Sequence, residues 1–150
     1  LQRFSAPVVL MHMLGEPRTM QKKPNYDNCV REIGEFFEER IAFADRHDID
    51  RSRLILDPGI GFGKRLADNL DILANVREFK RFGLPLLVGA SRKRFIEMIH
   101  AGAEQADHRL GGSIAAAVMA VANGADIVRV HDVAETVEAL KVVQAIRTTA

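Results

Sequence analysis

Residues 54–64 read Leu54-Ile55-Leu56-Asp57-Pro58-Gly59-Ile60-Gly61-Phe62-Gly63-Lys64, an aliphatic run that ends on a carboxylate and opens into a glycine-rich loop. An unbroken apolar run bounded by Gly and Pro suits a strand buried on both faces, as in a parallel sheet. Four such runs recur, at Pro7 to Met13, Arg53 to Leu56, Pro85 to Gly89 and Asp126 to His131. Long helical patterns separate them. Val30, Ile33, Phe37, Ile41 and Ala44 share one helix face, with Arg31, Glu32, Glu35 and Glu39 around the rest. An Ala-rich, nearly all-apolar helix of about Ser113 to Asn123 precedes Gly124 as C-cap, and such a helix belongs in a core or an oligomer interface. The last helix carries Val133, Val137, Leu140 and Val143 on one stripe, with Asp132 as N-cap and Glu135 completing a capping box.

The order is βα repeated four times, and right-handed crossovers place the helices outside the sheet. Half of an eight-stranded α/β barrel and a small doubly wound sheet both fit. A complete barrel needs about 250 residues, so 150 residues hold about half of one. The chain opens on Leu1 rather than Met and enters a strand almost at once, so it is expected to be cut from something longer.

Bulk composition narrows the function. With 47% hydrophobic, 27% charged and 6% aromatic residues, the chain reads as a single globular unit. It has no apolar run of about 18 residues and no signal-peptide pattern, so no membrane association is expected. A net charge of +1 gives no general attraction to nucleic acid, so any anion site must be local. The one cysteine, Cys29, has no partner for a disulfide, which fits a cytoplasmic setting, and reads as a buried small residue early in a helix.

In either architecture ligands bind beyond the carboxyl ends of the strands. The four strand-to-helix junctions are residues 11–17, 57–64, 91–94 and 129–132, and charged or glycine residues concentrate there. Asp57 ends an apolar strand, where a partly desolvated carboxylate can accept two hydrogen bonds from the N–H pair of an aminopyrimidine-type ring. Gly59, Gly61 and Gly63 let backbone approach a flat ligand, and Phe62 could stack on it. A plain strand-ending turn would also explain Asp57-Pro58-Gly59. The loop is no P-loop, which needs Gly at Pro58 and Ser or Thr at Arg65, and Lys64 spoils G-x-G-x-x-G.

Ser91-Arg92-Lys93-Arg94 opens an amphipathic segment, Phe95 to His100. Cations at a helix start form an anion site, with a solvated basic patch as the bland alternative. Arg129 and His131 alternate along the last strand and so share a face. A guanidinium there suits a diphosphate, or an internal ion pair with Asp132 or Asp126. His12, His47, His100 and His108 show no metal-ligand spacing, and His47 and His100 read as surface residues. Met11 and Met13 are core residues by default.

Taken together, the stretches VVLMHMLGEPRTMQ, LILDPGIGFGK, PLLVGASRKRFI and RLGGSIAAAVMAVANGADIVRVHDVAETVEAL resemble the second half of the dihydropteroate synthase family over essentially the whole chain. The resemblance implies an α/β fold whose four βα units are strands five to eight of a TIM-type (β/α)8 barrel. It implies that Asp57 hydrogen-bonds the pterin ring, that Met11, Gly61 and Phe62 line its pocket, and that Lys93 lays its stem along the ring. Ser91 and Arg92 would lie in the substrate site, Ser91 near the p-aminobenzoate carboxylate, and Arg129 and His131 would bind the leaving diphosphate. Arg94 stands where the family varies between Ser and Arg. The implied reaction replaces diphosphate on the methylene of 6-hydroxymethyl-7,8-dihydropterin diphosphate with the amine of p-aminobenzoate. Mg²⁺ would be held by the diphosphate and by residues of the absent first half, with no metal ligand in this chain. A homodimer through the later helices and competition by sulfonamides are also implied, and this half alone is not expected to turn over. Two other readings stay open. A corrinoid methyltransferase pterin domain would share the Asp57 pocket but have no use for Arg129 and His131, and a half-barrel that only binds would recover no activity with a complementary half.

Overall fold

The structure is a computed structural model and describes residues 5–149. Strand β1 (Val8–Met11) leads to helix α1 (Cys29–Arg46), β2 (Leu54–Asp57) to α2 (Leu66–Ala74), and β3 (Leu87–Val88) to α3 (Arg94–Ile99) and α4 (Leu110–Ala122). Strand β4 (Ile127–Val128) is followed by α5 (Val133–Thr148). The architecture is α/β. β1 pairs with β2, and β3 with β4, all parallel, and a parallel bridge between Leu56 and Leu86 joins the two pairs. Spatial order therefore follows chain order. Strands β1, β3 and β4 are shorter than the apolar runs that hold them, whereas β2 extends to take in Asp57.

Helix α1 starts where Asn28 accepts a hydrogen bond from the Arg31 N–H (2.9 Å) and Glu32 reaches back to the Asn28 N–H (2.9 Å). It buries Cys29, Ile33, Phe37, Ile41 and Ala44, four of the five expected face residues plus the cysteine, while Val30 is only half-buried. Burial pushes the Cys29 thiol up to about 12, so it is inert packing. In the core, Phe37 meets Phe79 and Phe82 edge-on, with centroids at 5.6 and 6.0 Å, over fully buried Leu54, Leu56, Ile72, Val76, Leu86 and Val88. This core lies between the strands and the helices, leaving the strand ends free for the site.

One helix expectation needs correction. Asp132 precedes α5 but makes no side-chain cap; its carboxylate is drawn instead to the Arg92 guanidinium (Nη2–Oδ1 2.5 Å), so no capping box forms. Val133 and Val137 are exposed at 59% and 45%, and only Thr136 of α5 is fully buried, so the apolar stripe is not sequestered in this chain. Helix α4 buries Ser113, Ala116, Ala117 and Ala120, while Leu110 and Met119 lie open.

Candidate active site

The site sits at the carboxyl ends of the four strands, and strand register builds it. Met11 is the parallel partner of Asp57. Leu87 is the partner of Ile127, and two residues on, Gly89 and Arg129 fall on the same face. The sequence places Arg129 and His131 on the strand; the ladder ends at Val128, so both stand in the loop that follows it. The offset nevertheless persists: Ser91 contacts His131 and Arg92 contacts Asp132, each 40 residues apart.

Asp57 is 1% exposed. Its Oδ1 accepts the Gly59 N–H (2.8 Å), and its Oδ2 faces the Arg129 guanidinium at 3.3 Å. Burial raises its pKa, against the pull of the Gly59 N–H, Arg129, Lys64 and Lys93. The ion-pair partner of Arg129 is therefore Asp57, not Asp126 or Asp132: Asp126 is bound to Lys80 (2.8 Å) and Asp132 to Arg92. The Arg129 side chain stays 54% exposed, with guanidinium surface left for a ligand. It lies across Gly89, where an added Cβ would come within 2.9 Å of Nη2.

The glycine-rich loop is held from below. Gly59 has φ +70°, and a Cβ there would fall 1.9 Å from the His12 carbonyl oxygen, so no other residue fits. Lys64, 4% exposed, sets its Nζ 3.0 Å from both the Phe62 carbonyl and His12 Nδ1. Burial lowers Lys64 to about 8. Burial, then the Lys64 charge, lowers His12 to about 4, so the imidazole is neutral and accepts from the ammonium. Asn69 accepts the Gly61 N–H (2.7 Å), and Gln21 donates to the Gly61 carbonyl (2.6 Å). Over this loop runs Lys93. Its Cδ would be 3.2 Å from a Cβ on Gly61, and its Nζ lies 4.0 Å from the Phe62 ring centroid. Burial, then Arg129, lowers the Lys93 pKa.

Gly89, Ser91, Lys93, Arg129, Val130 and His131 line a cavity of about 170 Å³. A second cavity of about 420 Å³ adjoins it through Lys93 and reaches Gly61, Lys64, Arg65 and Arg94. Thus Asp57, Gly61, Phe62, Lys93, Arg129 and His131 come together, with Met11 half-buried in register beside Asp57. Ser91 and Arg92 are occupied by protein partners. Arg92 has φ +56° and is held there by its N–H to Ser113 Oγ (2.8 Å), by Arg109 Nη1 on its carbonyl (3.0 Å) and by Asp132. Helix α3 has six residues, too short for much dipole, so anion attraction here comes from the side-chain cations. Sequence reasoning gives His12 and Lys64 no role beyond failing metal-ligand and G-x-G-x-x-G spacing, and it passes over Asn69; a lysine directly after a glycine-rich loop was the available signal for Lys64.

A buried carboxylate, the Phe62–Lys93 contact and an adjacent cationic pocket thus lie together at the strand ends, and the chain belongs to the pterin binding enzyme family, whose model matches residues 1–131. Within it the similarity is to dihydropteroate synthases. That of Escherichia coli (strain K12) is 51% identical over 140 residues, 93% of this chain and 49% of that protein. The Yersinia pestis dihydropteroate synthase solved with a sulfonamide drug superposes with a TM-score of 0.91 at 46% identity, over 96% of this chain and 52% of that one. The Xanthomonas albilineans dihydropteroate synthase in complex with 7,8-dihydropteroate gives 0.86 at 46% identity, over 94% and 52%. The chain spans about half the length of the curated relatives it matches.

Proposed function

We propose that this chain is the later half, strands five to eight, of a dihydropteroate synthase barrel, and that it supplies the pterin and diphosphate contacts of that enzyme. The observation that carries the reading is the Asp57–Arg129 pair at 3.3 Å, which sets the ring-binding carboxylate beside the guanidinium meant for the leaving group. Asp57 accepts the N–H pair of the pterin edge, with Met11, Gly61 and Phe62 as walls. Lys93 contacts the ring, and Arg129 and His131 bind the departing diphosphate and stabilise the charge that builds on it as the p-aminobenzoate amine takes its place on the methylene. A cation stabilised by the pterin needs no nucleophilic Ser or Cys, which fits the buried thiol of Cys29.

Among the described residues no group of three or more His, Cys, Asp or Glu side chains is placed to hold a metal ion. The parallel strand order, and the exposure of Val9 (43%) and Ile127 (37%) on the strands, support a sheet that continues beyond this chain. A homodimer through α3 and α4 belongs to the same reading, supported by the apolar cavity of about 610 Å³ against Ile99, Ala115 and Met119. No described helix is long and apolar enough to cross a membrane; a cytoplasmic setting is part of the proposal.

The test is diphosphate release from the dihydropterin diphosphate and p-aminobenzoate, with this chain alone and after refolding with the complementary half of a relative. Activity in the mixture that Arg129→Ala lowers at least about tenfold, and that a sulfonamide competes away, is the expected result. No activity in a mixture shown to be folded and associated would favour a half-barrel that only binds.

A further inference from the structure

Ser91 is 4% exposed, and among the described residues its Oγ contacts two atoms, both on His131: the backbone N–H at 3.2 Å and ring Nδ1 at 3.0 Å. The backbone nitrogen can only donate, so Oγ accepts there. The hydroxyl proton is then left with one acceptor in reach, Nδ1, and a buried hydroxyl proton without a partner is costly. If Nδ1 carried the proton instead, Oγ would accept twice and its own proton would have nowhere to go. The pairing therefore favours the proton on Nε2. His131 itself is exposed and lines the 170 Å³ cavity, so its Nε2–H is available to a ligand there.

Resting on the function proposed above, we infer that Ser91 is a positioning residue that fixes the tautomer of His131, so that its ring donates Nε2–H to an oxygen of the departing diphosphate. No proton changes hands: the imidazole supplies a hydrogen bond while Arg129 supplies charge. Ser91 thereby moves from the p-aminobenzoate carboxylate, where the resemblance puts it, to the support of the leaving-group site. The register that carries Leu87–Ile127 on to Ser91–His131, and the Arg92–Asp132 pair next to it, hold the two loops at the spacing this contact requires.

The experiment labels the histidines with ¹⁵N and reads the long-range ¹H–¹⁵N spectrum at mildly alkaline pH, where pyrrole-type and pyridine-type nitrogens separate. His131→Gln assigns the signal. The expected parent has a pyrrole-type Nε2, Ser91→Ala drifts toward the tautomer mixture of a free imidazole, and Ser91→Thr, which keeps the hydroxyl, restores the parent pattern. Titration with inorganic diphosphate should move the Nε2 signal in the parent, and Ser91→Ala should weaken that binding by about fivefold. A pyrrole-type Nδ1 in the parent, or a tautomer unchanged in a folded Ser91→Ala, overturns the inference. Failure of the parent to bind diphosphate at all, with the tautomer as expected, overturns the functional reading instead.

Discussion

Replacing Asp57 with Asn should separate binding from stability. The carboxylate is almost wholly buried, and burial raises its pKa. A carboxyl whose folded pKa lies above its unfolded value contributes stability below the unfolded pKa, about 3.9, and loses it as pH rises through the folded value. Above the folded value the ionised group is thus held at the fold's expense. Three changes follow from Asn. The Oδ1 bond from Gly59 (2.8 Å) survives, because the amide oxygen accepts as well. The Arg129 contact at 3.3 Å is lost, but that guanidinium is 54% exposed and solvent-screened, so the loss is about 0.2–1 kcal/mol. The desolvation of a buried charge is relieved, which offsets this loss. Net stability should move by no more than about 1 kcal/mol, in either direction, as read by urea unfolding. Pterin binding should not be spared. A carboxylate that accepts two charge-assisted bonds becomes an amide that accepts one and opposes a donor to a donor, about 2.7 kcal/mol or ~100-fold in Kd. Calorimetric titration with 6-hydroxymethyl-7,8-dihydropterin measures it. Parent-like affinity, or a stability loss above about 2 kcal/mol, would refute the reasoning.

Gly59→Ala should destabilise the chain by about 3–5 kcal/mol in urea unfolding, since it imposes a left-handed alanine and drives a methyl into the His12 carbonyl; a loss under about 1 kcal/mol would mean the turn relaxes freely. His12 has a folded pKa of about 4 against an ordinary 6.5, so its contribution is intact above 6.5 and disappears as pH falls toward 4. Compared with His12→Gln, the parent should lose roughly 3 kcal/mol more across that window, and parallel acid limbs for the two proteins would contradict the buried neutral imidazole. Gly89→Ala should displace the Arg129 guanidinium that lies over it and weaken diphosphate binding by about fivefold with little change in unfolding midpoint; unchanged diphosphate titration would show that Arg129 has another route to its ligand.

Much of the site is legible in the sequence because strand ends announce themselves. Asp57, Lys93, Arg129 and His131 are polar residues just beyond apolar runs, and a period of two puts Arg129 and His131 on one face, although the ladder ends before both. What periodicity does not carry is which partner a charge chooses. Asp132 has the spacing of a cap and Asp126 that of an ion-pair partner, yet Arg92 and Lys80 take them, because pairing across 40 and 46 residues depends on register between distant strands. The Lys64–His12 contact spans 52 residues and joins two loops that look unrelated along the chain. The stripe of Val133, Val137, Leu140 and Val143 is legible from spacing, but spacing does not say how much of it this chain covers, and Val133 and Val137 stay exposed. Of the fold, α/β alternation was readable from runs and glycines, while the place of these units in a barrel rests on the resemblance.

Between β2 and β3 the backbone pairs through one bridge, Leu56 with Leu86, whereas β1 with β2 is laddered over four residues. The site straddles that joint: Asp57 and Phe62 stand on one bank, and Lys93, Arg129 and His131 on the other. Contacts across it, such as Lys93 on Phe62 and Arg129 on Asp57, are side-chain contacts that shear easily compared with a main-chain ladder. On the function proposed, a flat ligand gripped from both banks would act as a splint, locking against sliding the joint whose alignment its own binding demands.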